Sequence, residues 1–209
     1  MLTITLTASF GGNPPALHIV YSIYKVLANS EDSAKAFSNS LVNSSKSLMA
    51  SGKLNVTSIK PIVEQEKLLI AANKRVIEEI NKFSSKNKAK DIATMVAAYD
   101  SKKGEIVVRG SVGTEIKKDM LHDDTVGLLK SKLDGAEIGT KTIFCNNIVG
   151  GCAEVLAADQ LIRKGVNPKD IRISQAYRPR DAYGYEYIDV PEKALIETCD
   201  NCIRVFLDK

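Results

Sequence analysis

The sequence predicts an α/β protein: an α/β sandwich, with helices packed on a mostly β layer, preceded by a mainly helical N-terminal region. Three observations carry that expectation. Two β-rich runs flank a compact turn, an amphipathic helix follows them, and an alternating strand and a last helix come after it. The texture changes abruptly at the lysine-rich joint "SSKNKAK". This places a boundary between residues 1–90, the helical region, and residues 91–209, the sandwich.

In chain order, "LTITLTA" alternates as a short strand, "GGNPP" turns, and residues 15–28 form an apolar helix with Pro15 in its first turn. The stretch "SNSLVNSSKSLMASGK" is serine-rich and reads as loose or weakly helical. A second helix begins near Pro61. Ile62, Leu69, Val76 and Phe83 recur every seven residues with Ile80 between them, while Glu64, Lys67, Lys74 and Glu78 lie off that line. Beyond the joint, runs at about 92–99 and 104–110 flank "DSKKG", whose Asp, Lys and Gly suit a hairpin loop. Residues 114–134 read as one or two short polar helices, and "TKTIFC" as a further short strand. In "GGCAEVLAADQLIRKG", Val155, Leu156, Ala158, Leu161 and Ile162 form an apolar face, and Gly165 stops the helix. "DIRISQAY" alternates as a strand, "YGYEYIDV" is a strand or extended loop, and the last helix starts at "TCDNC".

Composition sets the outer limits. With 209 residues and 44% hydrophobic content the chain can fill a core. A net charge of +4 permits an anionic partner without specifying nucleic acid. No apolar run reaches the roughly 18 residues of a membrane span, and "MLTITLTASF" lacks the basic start and apolar centre of a signal peptide. The expected location is therefore cytoplasmic.

All four cysteines, Cys145, Cys152, Cys199 and Cys202, fall in the last 65 residues, which favours a local site over a disulfide framework. Cys152 opens one predicted helix and the Cys199/Cys202 pair opens another. A thiolate at a helix start is favoured by the positive end of the helix dipole. Three such sulfurs can converge on one ion. Zinc suits sulfur ligands and four-coordinate geometry, and with three protein ligands it keeps a position open for water. Glu154, two residues after Cys152, is then placed to shuttle protons beside the ion without binding it. Two readings compete with this one: a closed structural site with Cys145 as fourth ligand, and a Cys-x-x-Cys redox pair.

The segment "QAYRPRDAYGYEY" carries four tyrosines and two arginines. Tyr177 could stack on a base, and Arg178 and Arg180 could meet phosphate, so the segment is a candidate contact for a nucleotide or single strand. An edge segment packing on the core is the equal alternative. Asn146 and Asn147 could hydrogen-bond a sugar or base, or form a turn. His122 reads as a solvated residue between helices, and His18 as a core residue.

Together "CAE" at 152–154, "CDNC" at 199–202, the preceding hairpin and the Gly-rich approach resemble the cytidine-deaminase-like superfamily, and within it the YwqJ-type deaminases found as bacterial toxin domains. The likeness covers about residues 91–209. It implies a cytidine-deaminase-like αβα sandwich, Cys152, Cys199 and Cys202 as Zn2+ ligands, Glu154 as proton shuttle, and cytosine ahead of adenine as substrate. It also implies a toxin effector acting in a target-cell cytoplasm, with an immunity protein as partner. Thr198 stands where the family usually has proline, and threonine is a competent N-cap. Only seven residues follow Cys202, so the expectation is either a minimal member or a sheet completed differently, for instance by "MLTITLT", and a deaminase-like fold without activity is a third reading.

Overall fold

The computed structural model describes residues 56–207, and side chains from residue 64 onward. The chain forms two compact units, Met1–Val56 and Thr57–Lys209. The elements below belong to the second. The expected strand "LTITLTA", the helix at 15–28 with His18, and the serine-rich stretch lie outside the described residues.

The fold is mixed α/β, built on a five-stranded antiparallel sheet. Helix α1 (Val56–Ile80) precedes a short helix α2 (Lys86–Ala89), whose N-cap Ser85 accepts from the Lys88 amide. Strands β1 (Met95–Asp100) and β2 (Ile106–Gly110) form the expected hairpin, with Ala97 opposite Val108. Its loop closes as the residue types require. The Gly104 amide donates to the Asp100 carbonyl at 2.8 Å, Asp100 Oδ1 accepts from the Lys102 amide at 2.8 Å, and Gly104 takes φ +75°.

β1 is buried along its whole length because both of its faces are covered. Val96 and Ala98 join one apolar cluster with Val155, Ala158, Leu161 and Ile162 of helix α4 (Ala153–Arg163). Met95, Ala97 and Tyr99 point the other way and join Ala72, Val76, Ile77 and Ile80 of α1. The period-two alternation of one strand thus divides the core into two layers. Phe83, which continues the apolar line of α1, lies past its end and still packs on the second layer.

Beyond β1 the alternating run "DIRISQAY" is two strands, β3 (Ile171–Ile173) and β4 (Ala176–Tyr177). Ala98 pairs with Ile173 but Met95 pairs with Tyr177, so one extra residue is accommodated between the two pairings. This is a bulge, and side chains satisfy what the ladder gives up. Ser174 Oγ accepts from the Ala97 amide at 2.9 Å, and Asn73 Oδ1 of α1 accepts from the Gln175 amide at 3.0 Å. Short helix α5 (Pro179–Ala182) follows, then β5 (Leu195–Ile196), which pairs with β4. The last element, α6 (Asp200–Cys202), runs into a π-helical turn, Ile203–Leu207.

One expected strand is not a strand, and the segment expected as a strand or extended loop is not a strand either. "TKTIFC" is a loop in which Thr142 Oγ1 accepts from the amides of Phe144 and Cys145, a local turn that replaces strand pairing. "YGYEYIDV" holds a 3₁₀ turn at Tyr187–Asp189, and Asn81 binds its start, donating to the Tyr185 carbonyl and accepting from the Gly184 amide, both at 2.8 Å. The polar stretch before α4 contains two 3₁₀ turns and helix α3 (Asp123–Lys132), capped by His122. Among the described residues no helix is long and apolar enough to cross a membrane.

The start of α4 is set by close backbone contact. The amides of Val112 and Gly113 both donate to the Gly151 carbonyl, at 3.1 and 3.2 Å, and a Cβ on Gly151 would lie 2.2 Å from the Gly113 carbonyl oxygen. Gly151→Ala is therefore expected to cost about 1–3 kcal/mol. Gly127→Ala, in the exposed middle of α3 with nothing near its Cβ, should gain about 0.5–1 kcal/mol. Urea unfolding of the two variants beside the parent checks both signs, and equal stability of all three would contradict this account.

Candidate metal centre

Cys152 is the N-cap of α4, with extended backbone (φ −74°, ψ 149°), and Cys199 holds the same position in α6 (φ −71°, ψ 155°). Neither caps through its side chain, so both sulfurs are left facing outward from the helix starts. Cys202, one turn on, is 1% exposed. The three sulfurs lie within 4.8 Å of one another, and Cys152 and Cys199 are 3.8 Å apart. A tetrahedral ion with sulfur at about 2.3 Å sets sulfur–sulfur edges of about 3.8 Å. The donor set therefore fits a metal ion. All four cysteines are free thiols.

The electrostatics of the cluster follow from that crowding. Hydrogen bonds from Cys152, then from Cys202 and Asn147, hold the Cys199 thiol far below its usual range. Donating to Cys199 is in turn the main cause that raises Cys152, with burial adding to it. Cys202 is raised by its bonds to Cys152 and Cys199 and by burial. Crowding thus favours ionisation at Cys199 and opposes it at Cys152 and Cys202, since adjacent anions repel. A bound cation removes that repulsion and favours all three thiolates.

Glu154 lies in the first turn of α4 and is 5% exposed. Burial raises its carboxyl above the ordinary range, against hydrogen bonds from its own amide and from the Cys202 thiol that pull it down. It is a carboxyl group in contact with the sulfur cluster yet outside the group of sulfurs that can hold the ion.

The other expected site residues divide. Asn147 is exposed in the loop before α4; its carbonyl accepts from Asn201 Nδ2 at 3.4 Å, and its amide is among the groups that favour ionisation of Cys199. Tyr177 is 1% exposed and belongs to the second core layer with Met95 and Tyr99, so its ring serves packing, and the expected stacking on a base does not hold. Arg178 Nη1 donates to the Lys193 carbonyl at 3.2 Å and faces Asp181 at 3.4 Å, and Arg180 also faces Asp181 at 3.4 Å. Both arginines thus brace their own segment. Cys145 and His122 stand outside the cluster, and His122 Nδ1 accepts from the Asp124 amide at 3.3 Å. Sequence reading missed Asn201, 3% exposed between the two cysteines of α6. Its only signal was its position inside the Cys-x-x-Cys spacing.

A small recess of about 10 Å³, room for no more than a water molecule, adjoins the cluster, lined mainly by Leu129, Leu133, Val149 and Val155 with Cys152 and Cys202 at one side. Neither Glu154 nor Cys199 lines it, so it is a gap in the first core layer and not the seat of the chemistry. Searches against family models, curated proteins and solved structures give no match for this chain.

The geometry makes a selective expectation. Replacing Cys152, Cys199 or Cys202 by serine should each weaken Co²⁺ binding at least about tenfold and change the sulfur-to-cobalt absorption, while Cys145→Ser leaves both as in the parent. Co²⁺ titration followed by absorption checks this. Loss of binding in Cys145→Ser would move the centre elsewhere.

Proposed function

We propose that this chain is a zinc-dependent hydrolytic deaminase of a nucleobase, cytosine ahead of adenine, presented in a nucleotide or a single-stranded nucleic acid. The observation that carries this reading is Glu154, a buried carboxyl in contact with the thiol cluster but not one of its three sulfurs. Three protein ligands leave a four-coordinate ion one position for water, the arrangement of catalytic rather than structural zinc. The resemblance of residues 91–209 to cytidine-deaminase-like proteins, and with it the αβα sandwich, adds support. A sheet with apolar layers on both faces is compatible with it.

Cys152, Cys199 and Cys202 would hold the ion. When bound, zinc supplies the Lewis acidity that makes water nucleophilic near neutral pH. Glu154 does the proton work. Its carboxylate takes a proton from the attacking water as oxygen bonds to the ring carbon bearing the exocyclic amine. One proton passes to the neighbouring ring nitrogen and the second, taken from the added hydroxyl, to the amine; the carbon–nitrogen bond then breaks and ammonia leaves with a carbonyl formed in its place. Burial serves this task, because raising the carboxyl pKa makes the carboxylate a stronger proton acceptor. Of the arginines, Arg180 is half-exposed and is the better placed to meet a phosphate. Action as a toxin effector, with an immunity protein covering the site, is the biological setting this reading suggests.

One observation favours a second reading. Cys202 is part of the first core layer, so a metal there would also tie α6 to α4 as a purely structural clamp. Glu154→Gln separates the two. The deaminase reading expects one zinc per chain in both parent and variant, with ammonia release from cytidine, single-stranded DNA or RNA falling at least about a hundredfold in the variant. Zinc in both proteins with no turnover of any of these substrates would leave the clamp.

A further inference from the structure

Two of the three clustered sulfurs differ from the third in ways that bear on oxidation. Cys152 and Cys199 are N-cap residues with extended backbone, ahead of the first turns of α4 and α6. No helical turn precedes a side chain at that position, so its χ1 is free to move between staggered wells. Cys202 lies inside α6 and is 1% exposed within the first core layer, where helix and packing together fix its rotamer. Exposure divides the set in the same way. Cys152 and Cys199 are half-buried and open to a small solute, while Cys202 is sealed.

The two accessible sulfurs are also a close pair, 3.8 Å apart across 47 positions of the chain. A disulfide bond is about 2 Å long, and turning two N-cap side chains toward each other closes a gap of that order. Cys145, the fourth thiol, stands outside the group of sulfurs that lie within 4.8 Å of one another.

We propose that Cys152 and Cys199 form an oxidation site: in the metal-free chain a hydroperoxide converts them to a disulfide that links the starts of α4 and α6 and shuts the metal out. With hydrogen peroxide, one of the two sulfurs attacks a peroxide oxygen, the O–O bond breaks, and a sulfenic acid and one water result. The other sulfur then attacks the sulfenic sulfur, the S–S bond forms, and the hydroxyl leaves as a second water. Two thiols give up two electrons and two protons, and the peroxide takes up both. The linked pair has no thiolate left to offer, and Cys202 alone is one ligand where a catalytic ion needs three. Metal and disulfide are thus alternative states of one site, and this exclusion rests on the reading that the three cysteines bind a metal.

The test is a disulfide map of the full chain. The protein is stripped of metal under reducing conditions, treated with one equivalent of hydrogen peroxide, alkylated in denaturant, and digested for mass spectrometry. Zinc binding is measured before oxidation, after it, and after reduction with dithiothreitol. The expected map has one major link, Cys152 to Cys199, with Cys145 and Cys202 alkylated, and Cys202→Ser should give the same link. The reduced chain should bind one zinc, the oxidised chain at least about a hundredfold more weakly, and the re-reduced chain as at first. A major link from Cys199 to Cys202, a link to Cys145, four free thiols after peroxide, or zinc held equally by the oxidised chain would each overturn the proposal and leave the metal centre standing. A reduced chain that binds no zinc would overturn the metal reading, and with it the exclusion of metal by disulfide.

Discussion

Three sulfurs at the starts of two helices, two of them 3.8 Å apart, are the constraint on which the rest of the site depends. As neutral thiols the three pack as small apolar groups; it is their ionisation that the crowding opposes, and a bound cation would remove that opposition. Gly151 lets the backbone before α4 approach the Gly113 carbonyl, and this contact aims Cys152. Asn201 ties α6 to the loop that carries Thr142 and Asn147.

The sheet supplies the rigidity behind this. β1 is covered on both faces, so α4 rests on a strand that is itself backed by α1. The bulge between β3 and β4 lets a single segment pair along β1 in two registers, and Ser174 and Asn73 satisfy the amides that the shift exposes. Asn73 makes the bulge a meeting point, since a residue of α1 there secures the strand that leads toward β5 and the Cys199/Cys202 pair. Removing a buried polar partner at such a point costs about 1–3 kcal/mol, comparable to loss of a core methyl group or two.

Much of this was legible in the residues because the signals were local. Asp100, Lys102 and Gly104 specified their turn, Gly165 specified the end of α4, and the apolar spacing of Val155, Ala158, Leu161 and Ile162 specified its buried face. The convergence of Cys152 with Cys199 and Cys202 was also anticipated, from helix-start positions alone. What failed was nonlocal. "TKTIFC" has strand composition but no neighbouring strand to pair with, and Thr142 turns it instead. Tyr177 looked like a stacking residue in an arginine-rich segment, yet the period of β4 points it into the core. Asn201 carried no signal beyond its place between Cys199 and Cys202, because its hydrogen bonds go to a loop more than fifty residues earlier in the chain.

The most direct test of the central claim is X-ray absorption at the zinc edge on the zinc-loaded chain. The account predicts three sulfur neighbours at about 2.3 Å and one oxygen or nitrogen at about 2.0–2.2 Å, a centre with one position not filled by cysteine. Four sulfur neighbours would show a closed structural site and contradict it.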